Sequence, residues 1–199
     1  MATAKKAILI EDYSSAWKSN FDSLAKVYRE HLKDLAIAIE HVGSTAVPGL
    51  CAKPVIDIDI VIQSLDQLQE IILILVKLGY EYLGEVAIPD RFVFRPPSLT
   101  IPNNGSGQSW QKHHLYCCIK NSTALKNHII LRDALRKDEF LVKEYAALKR
   151  NLAKHAHNMD EYVMGKTSFI AKVLAAHGMS NDELLAIEEQ NKTVIPARV

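Results

Sequence analysis

Residues 55–62 run Val55-Ile56-Asp57-Ile58-Asp59-Ile60-Val61-Ile62. The pattern has period two and is rich in β-branched side chains, so it predicts a strand. Ile56, Ile58, Ile60 and Ile62 fall on one face, which must meet a hydrophobic core. Val55, Asp57, Asp59 and Val61 fall on the other. Any fold for this chain must cover the isoleucine face and also find a use for two carboxylates in mid-strand, where aspartate is depleted.

The flanking segments supply the cover. Residues 14–35 place Trp17, Phe21, Leu24, Tyr28, Leu32 and Leu35 at helical spacing, with Ser14 or Ser15 as N-cap. Residues 36–42 predict a short strand, and the turn-rich run from Gly43 to Leu50 predicts a loop. Residues 65–78 predict an apolar helix closed by Gly79, and residues 80–84, 91–95 and 113–119 predict strands. Residues 96–110, with Pro96-Pro97 and Asn103-Asn104-Gly105-Ser106-Gly107, predict a flexible loop that could act as a lid. From residue 122 onward the pattern is helical, over 122–137, 139–156, 160–177 and 181–190. Leu141, Tyr145, Leu148 and Leu152 form a stripe in the second of these, with Tyr145 a core or rim residue. The expectation is an α+β fold, a mixed β-sheet flanked by helices with a helical C-terminal part.

A chain of 199 residues suits one domain over 1–190, with the sheet-containing core in 8–120, the helical part in 121–190 and a tail over 191–199. Lys plus Arg total 24 against 23 Asp plus Glu, for a net charge of +1. That balance argues against a bulk electrostatic grip on nucleic acid, a local basic patch aside. Three cysteines, two of them adjacent, do not make a disulfide framework. The N-terminal apolar stretch is too short for a signal-peptide core, and no run is long enough to span a bilayer, so a cytoplasmic protein is expected.

On a strand, Asp57 and Asp59 point the same way, about 6.5–7 Å apart. Their mutual repulsion is relieved by a divalent cation, and paired carboxylates are hard oxygen ligands suited to Mg²⁺ or Mn²⁺. The alternative is a solvated strand face with two surface aspartates. Gly43-Ser44 follows the preceding strand. Glycine permits close backbone approach to a ligand, and serine adds a hydroxyl donor. The alternative there is a plain β-turn. Lys53 stands between this turn and the aspartate strand, as a phosphate contact or as a solvated lysine.

A strand, Gly43-Ser44, twelve residues and then Asp57-Ile58-Asp59-Ile60 resembles the signature of the nucleotidyltransferase superfamily, the DNA polymerase β-like fold. The fuller run His41-Val42-Gly43-Ser44-Thr45-Ala46-Val47-Pro48-Gly49-Leu50-Cys51-Ala52-Lys53-Pro54-Val55-Ile56-Asp57-Ile58 resembles the GrpB family. So do His113-His114-Leu115, Leu131-Arg132-Asp133-Ala134-Leu135-Arg136, Glu144-Tyr145-Ala146-Ala147-Leu148-Lys149 and Lys166-Thr167-Ser168-Phe169-Ile170. The resemblance covers most of residues 8–177. It implies a minimal nucleotidyltransferase fold with a helical C-terminal part. With the superfamily signature, the expected activity is transfer of an NMP from an NTP to a hydroxyl acceptor, with Asp57 and Asp59 as metal ligands.

Two departures accompany it. The superfamily carries a third carboxylate on a later strand, and the matching strand here, 113–119, has no acid. His114 or Tyr116 holds that position, His114 as a candidate third ligand, and Glu85 or Asp90 are candidate acids from a loop. Tyr116 also replaces a family histidine. Arg91, Arg95, Arg132 and Lys166 are candidate phosphate contacts, Arg132 and Lys166 by the family match; the alternative for each is a solvated charge or salt-bridge partner. His113, His114, Cys117 and Cys118 do not have zinc-finger spacing and read as buried thiols with one site-facing histidine. A different class of function, a nucleotide- or anion-binding module without turnover, is favoured by the missing acid.

Overall fold

The protein is described by a computed structural model covering residues 8–86 and 88–194, with Glu188 and residues 190–194 described as backbone only. Helix α1 (Ala16–Leu32) leads through a 3₁₀ turn into β1 (Ala38–Val42). A second 3₁₀ turn, Ser44–Ala46, precedes β2 (Ile56–Ile62). Helix α2 (Leu68–Lys77) follows, then β3 (Glu81–Glu85), β4 (Arg91–Arg95) and β5 (His113–Ile119). The rest is helical: α3 (Thr123–Lys137), α4 (Glu139–His155), α5 (Met159–Met164), α6 (Thr167–Ala176) and α7 (Asn181–Val194).

The five strands form one mixed sheet in the order β1-β2-β5-β4-β3. β2 and β5 run parallel at its centre, and the other neighbours are antiparallel. Ile56, Ile58, Ile60 and Ile62 are fully buried and pack with Phe21, Leu24 and Tyr28 of α1 and with Ile71 and Leu75 of α2. The isoleucine face is thus closed by the two helices whose apolar stripes match it. One polar chain crosses this core. Tyr28 and Tyr80 share a hydroxyl hydrogen bond of 2.6 Å, Tyr80 Oη lies 2.6 Å from His113 Nε2, and His113 Nδ1 lies 2.9 Å from the Gln111 carbonyl.

A second apolar cluster joins Val47, Leu50 and Cys51 to Ala134 and Leu135 of α3, Tyr145 of α4 and Phe169 of α6. Tyr145 stacks flat on Phe169 at 4.6 Å. The helical half therefore grips the segment between the Ser44–Ala46 turn and β2.

Three expectations are corrected. Of residues 96–110, only Pro96 reaches the carboxylate face, so the run does not roof it. Trp110 is buried in the α1–α2 core, its indole N–H donates to the Pro102 carbonyl at 2.9 Å, and the Asn103 N–H donates to the Leu78 carbonyl at 2.8 Å. Burial of the indole pins the loop on the far side of the sheet. The helix expected over 160–177 breaks at Gly165, where an added Cβ would overlap the Leu152 side chain. The expected tail starts too early, since α7 continues to Val194; residues 195–199 lie outside the described residues.

Among the described residues, no helix is long and apolar enough to cross a membrane. Cys51, Cys117 and Cys118 are all free and buried. Burial pushes the Cys117 thiol up to about 12 and that of Cys118 higher still, with the Asp59 charge adding to both. Thiols held in this way pack as small apolar side chains.

Candidate functional site

The face opposite the isoleucines carries the chemistry. Register places Glu40 of β1 opposite Asp59 of β2, Asp57 beside His114 of β5, and Asp59 beside Tyr116. Both aspartates project to this face, and each meets a histidine. His114 Nδ1 lies 2.8 Å from Asp57 Oδ1, and His128 Nδ1, from α3, lies 2.7 Å from Asp59 Oδ2.

The two acids differ in surroundings. Helix α3 covers the upper half of the face, with Leu125 and Ile129 packed on Val61 and Cys118. Asp59 lies beneath it, fully buried, and its Oδ1 has no hydrogen-bond partner among the described residues. Asp57 lies beyond the edge of α3 and keeps 31% of its side chain exposed. Burial alone would raise the Asp57 carboxyl. The His114 hydrogen bond and charge, with His128 and Lys166, outweigh it and hold the carboxyl below its ordinary value.

Asp57 floors a cavity of about 750 Å³. The Ser44–Ala46 turn forms one wall. Gly43 enters it at φ 70° and ψ −169°, a conformation open essentially to glycine, and an added Cβ would overlap the Asp57 carboxylate. Gly43 and the acid, fourteen positions apart, are thus in contact. Six basic side chains line the same cavity: Lys53, Arg91, Arg95, Lys112, Lys149 and Lys166. Asp57 is the one acid among the described residues that line it. This is a local basic patch on a chain of nearly neutral net charge.

Of the residues singled out from sequence, the structure brings Ser44, Lys53, Asp57, Arg91, Arg95, His114 and Lys166 to this cavity, with Gly43 directly behind Asp57. Arg132 stands elsewhere. Its guanidinium bonds Glu40 at 2.6 Å, Asp133 at 2.7 Å and the His41 carbonyl at 3.1 Å, and it does not line the cavity. Arg95 is paired with Glu81 at 2.5 Å. The loop acids do not complete the site either: Glu85 accepts from the Asp90 N–H at 2.6 Å, and neither lines the cavity. Glu40, His128 and Lys112 were not singled out from sequence, and Lys149 only as the end of a family-like run, with no role given to it. His128 and Arg132 are spaced i, i+4, which places them on one helix face, and that spacing was the available signal.

Lys149 is 2% exposed, donates a short hydrogen bond to the Cys51 carbonyl, and its ammonium lies 5.1 Å from the Tyr145 ring centre. Burial, reinforced by repulsion from Lys166, pushes this amine down to about 7.

The donor set suits a cation held jointly with a phosphate rather than a closed metal cage. Asp57 offers its carboxylate at the cavity floor; Asp59, two positions on along the same strand, keeps a carboxylate oxygen without a partner among the described residues, but it is buried beneath α3 and does not itself line the cavity. Mg²⁺ is commonly held by one or two carboxylates completed by substrate phosphates. Among the described residues, no group of three or more His, Cys, Asp or Glu side chains forms a cage.

Comparison with known proteins agrees with this architecture. A solved structure of GrpB from Enterococcus faecalis superposes with a TM-score of 0.69 at 27% identity, covering 90% of this chain and 99% of that one. Cid1 in complex with its short product ApU superposes with a TM-score of 0.52 at 16% identity, covering 77% of this chain and 49% of that one, a likeness of fold. A UPF0157 protein of Halalkalibacterium halodurans is 32% identical over 172 residues, 84% of this chain and 81% of its own length. The UPF0157 protein YqkA of Bacillus subtilis is 30% identical over 167 residues, 83% of this chain but 46% of its own length, so the chain spans about half of that relative. The family model described as GrpB protein matches residues 7–176. The strand pattern, the Gly43–Asp57 contact and these matches together establish that the chain belongs to the GrpB family and has a nucleotidyltransferase-like fold.

Proposed function

We propose that the cavity binds a nucleoside triphosphate together with Mg²⁺ or Mn²⁺, and that the protein transfers the NMP moiety to a hydroxyl acceptor. The observation that carries this reading is the placement of Asp57 at the floor of a lysine- and arginine-lined cavity, against the Gly43–Ser44 turn. A nucleotide ligand also appears in the fold relative Cid1, solved with ApU. Free, buried thiols accord with a reducing, cytoplasmic setting.

The chain's residues divide the work. Gly43 gives the turn its close approach to Asp57, and Ser44 supplies a hydroxyl donor to the β- and γ-phosphates. Lys53 and Lys166 neutralise phosphate charge as it is desolvated. Asp57 and Asp59 would hold the cation, which when bound polarises the phosphoryl oxygens and stabilises the leaving charge. His114 fixes the orientation of Asp57, and His128 that of Asp59. In the transfer, the acceptor oxygen bonds to the α-phosphorus and the bond to the bridging oxygen breaks. Pyrophosphate leaves with that electron pair, and the hydroxyl proton passes to solvent.

A second reading, nucleotide binding without turnover, is favoured by one observation: on β5 the positions beside Asp57 and Asp59 are His114 and Tyr116, not an acid. Incubation with α-labelled NTPs, Mn²⁺ and a panel of hydroxyl acceptors separates the two. Pyrophosphate release that is lost in folded Asp57→Asn and Asp59→Asn variants establishes transfer. Saturable NTP binding with no pyrophosphate from any acceptor establishes the second reading, and no NTP binding at all removes both.

A further inference from the structure

Two cations of the cavity, Arg91 and Lys112, come from the β5–β4 side of Asp57, away from the Gly43–Ser44 turn. The sheet order is β1-β2-β5-β4-β3, so the Gly43–Ser44 turn, which follows β1, stands on one side of β2. Lys53, on the segment leading to β2, and Lys149 and Lys166, from the helical half, are walls of the same cavity. Arg91 on β4 and Lys112, immediately before β5, stand on the other side. Arg95 is also there, but Glu81 neutralises it.

Arg91 is the informative member. It pairs in register with Cys118, yet its guanidinium leans back over the Tyr116 ring, 4.6 Å from the centre. Tyr116 is the register neighbour of Asp59, so this cation sits one strand, about 4.8 Å, from the aspartate strand. Its Nε is buried and has no hydrogen-bond partner among the described residues. A buried guanidinium N–H without a partner is rare and calls for an explanation. An arginine held over an aromatic ring can present its planar fork to an oxyanion.

In-line displacement decides which oxyanion. Attacking and leaving oxygens lie on opposite sides of the phosphorus. With the β- and γ-phosphates on the Gly43–Ser44 side, the acceptor enters from the β5–β4 side. Resting on the function proposed above, we infer that Arg91 and Lys112 form an acceptor subsite for a phosphate group, so that the hydroxyl acceptor is itself a phosphorylated small molecule. A triphosphate partly neutralised by a divalent cation leaves this second cationic group without an anion. An acceptor phosphate supplies it and aims the hydroxyl at the α-phosphorus.

Calorimetry on the full chain tests the subsite with ribose 5-phosphate against ribose, in the presence of Mg²⁺ and ATP bridged by methylene between the α- and β-phosphorus. Ribose 5-phosphate is expected to bind roughly tenfold or more tightly than ribose, the scale of a charge-assisted contact. Arg91→Gln should weaken ribose 5-phosphate by about tenfold while changing ATP-analogue affinity by less than about threefold. Lys166→Gln should show the reverse. Lys112→Gln, an exposed change with little bearing on folding, should repeat the Arg91→Gln pattern more weakly. Equal affinity for ribose and ribose 5-phosphate, or an Arg91→Gln loss that falls equally on the ATP analogue, overturns the inference while leaving NTP binding intact. If the ATP analogue does not bind, the proposed function fails; Arg91-dependent binding of ribose 5-phosphate alone then still assigns the anion subsite, and its absence removes that too.

Discussion

The α-carbon of Gly43 lies so close to the Asp57 carboxylate that a methyl group added there would overlap Asp57 Oδ2. The turn after β1 and the acid on β2 are therefore held as one unit, with no side chain between them. The backbone of Gly43, at φ 70° and ψ −169°, belongs to a region that other residues enter at a cost of about 1–3 kcal/mol. Gly43→Ala should lower the unfolding free energy by at least that amount in a urea titration. It should also weaken NTP binding further than the stability loss explains, since the carboxylate must be displaced. A variant of unchanged stability would show that the contact does not fix the turn.

Glu40 and Asp59 face one another across the β1–β2 ladder, an arrangement of like charges that is destabilising when left alone. Helix α3 answers it with two side chains on one face, Arg132 to Glu40 and His128 to Asp59. Removing Arg132 leaves Glu40 without its partner. Arg132→Met should therefore destabilise the fold by about 3 kcal/mol, and Glu40→Met in the same chain should recover most of it. The four unfolding free energies of that double-mutant cycle measure the coupling. Additive losses would mean that the pair is not an interacting unit. Arg132→Met should also leave NTP affinity unchanged, since the guanidinium lies outside the cavity.

What could be read from sequence follows from the range of the interaction. The alternation of Ile56 to Ile62 with Asp57 and Asp59 is local, and it fixed both the buried face and the shared direction of the acids. The joining of Asp59 to His128 depends on a helix docking 69 residues away, and no local pattern carries that distance. Arg132 matched a family motif and read as a phosphate contact, but the repulsion it relieves exists only once β1 has paired with β2. Trp110 sits in a run of Pro, Asn, Gly and Ser that reads as free loop, and one buried indole reverses that reading. Lys149 occupies a helix position where lysine ordinarily faces water, and it is covered only because the segment from Val47 to Cys51 packs over α4.

His41 is 6% exposed, stacks on Phe21 at 4.6 Å, and pairs with the Thr45 hydroxyl at 3.0 Å. Burial, with the nearby Arg136 charge, pushes its imidazole down to about 4, and burial does the same for His113. The unfolded chain takes up these protons near 6.5 and the folded chain near 4, so stability is complete above pH 6.5 and falls as pH drops toward 4. Each site contributes on the order of 3 kcal/mol over that window. Urea midpoints between pH 7 and pH 4 should decline, and His41→Gln should make the decline shallower. An unaltered slope in that variant would exclude His41 as a contributor.

Lys149 gives the opposite range of pH. Its amine is ordinarily near 10.5, and burial brings it to about 7 in the folded chain. Between those values the unfolded chain holds the proton and the folded chain does not, so this group makes stability rise with pH across the window. Below pH 7 both states are protonated and the contribution is constant at its least favourable. Lys149→Met removes the titration while keeping an unbranched apolar stem. The difference in unfolding free energy, variant minus wild type, should therefore be greatest at pH 7 and fall steadily toward pH 10. The buried tyrosines, whose hydroxyls burial raises, are common to both proteins and cancel in that difference. A difference that stays flat from pH 7 to pH 10 would show that Lys149 keeps its proton when folded, and the amine beside the cavity would then be a fixed cation.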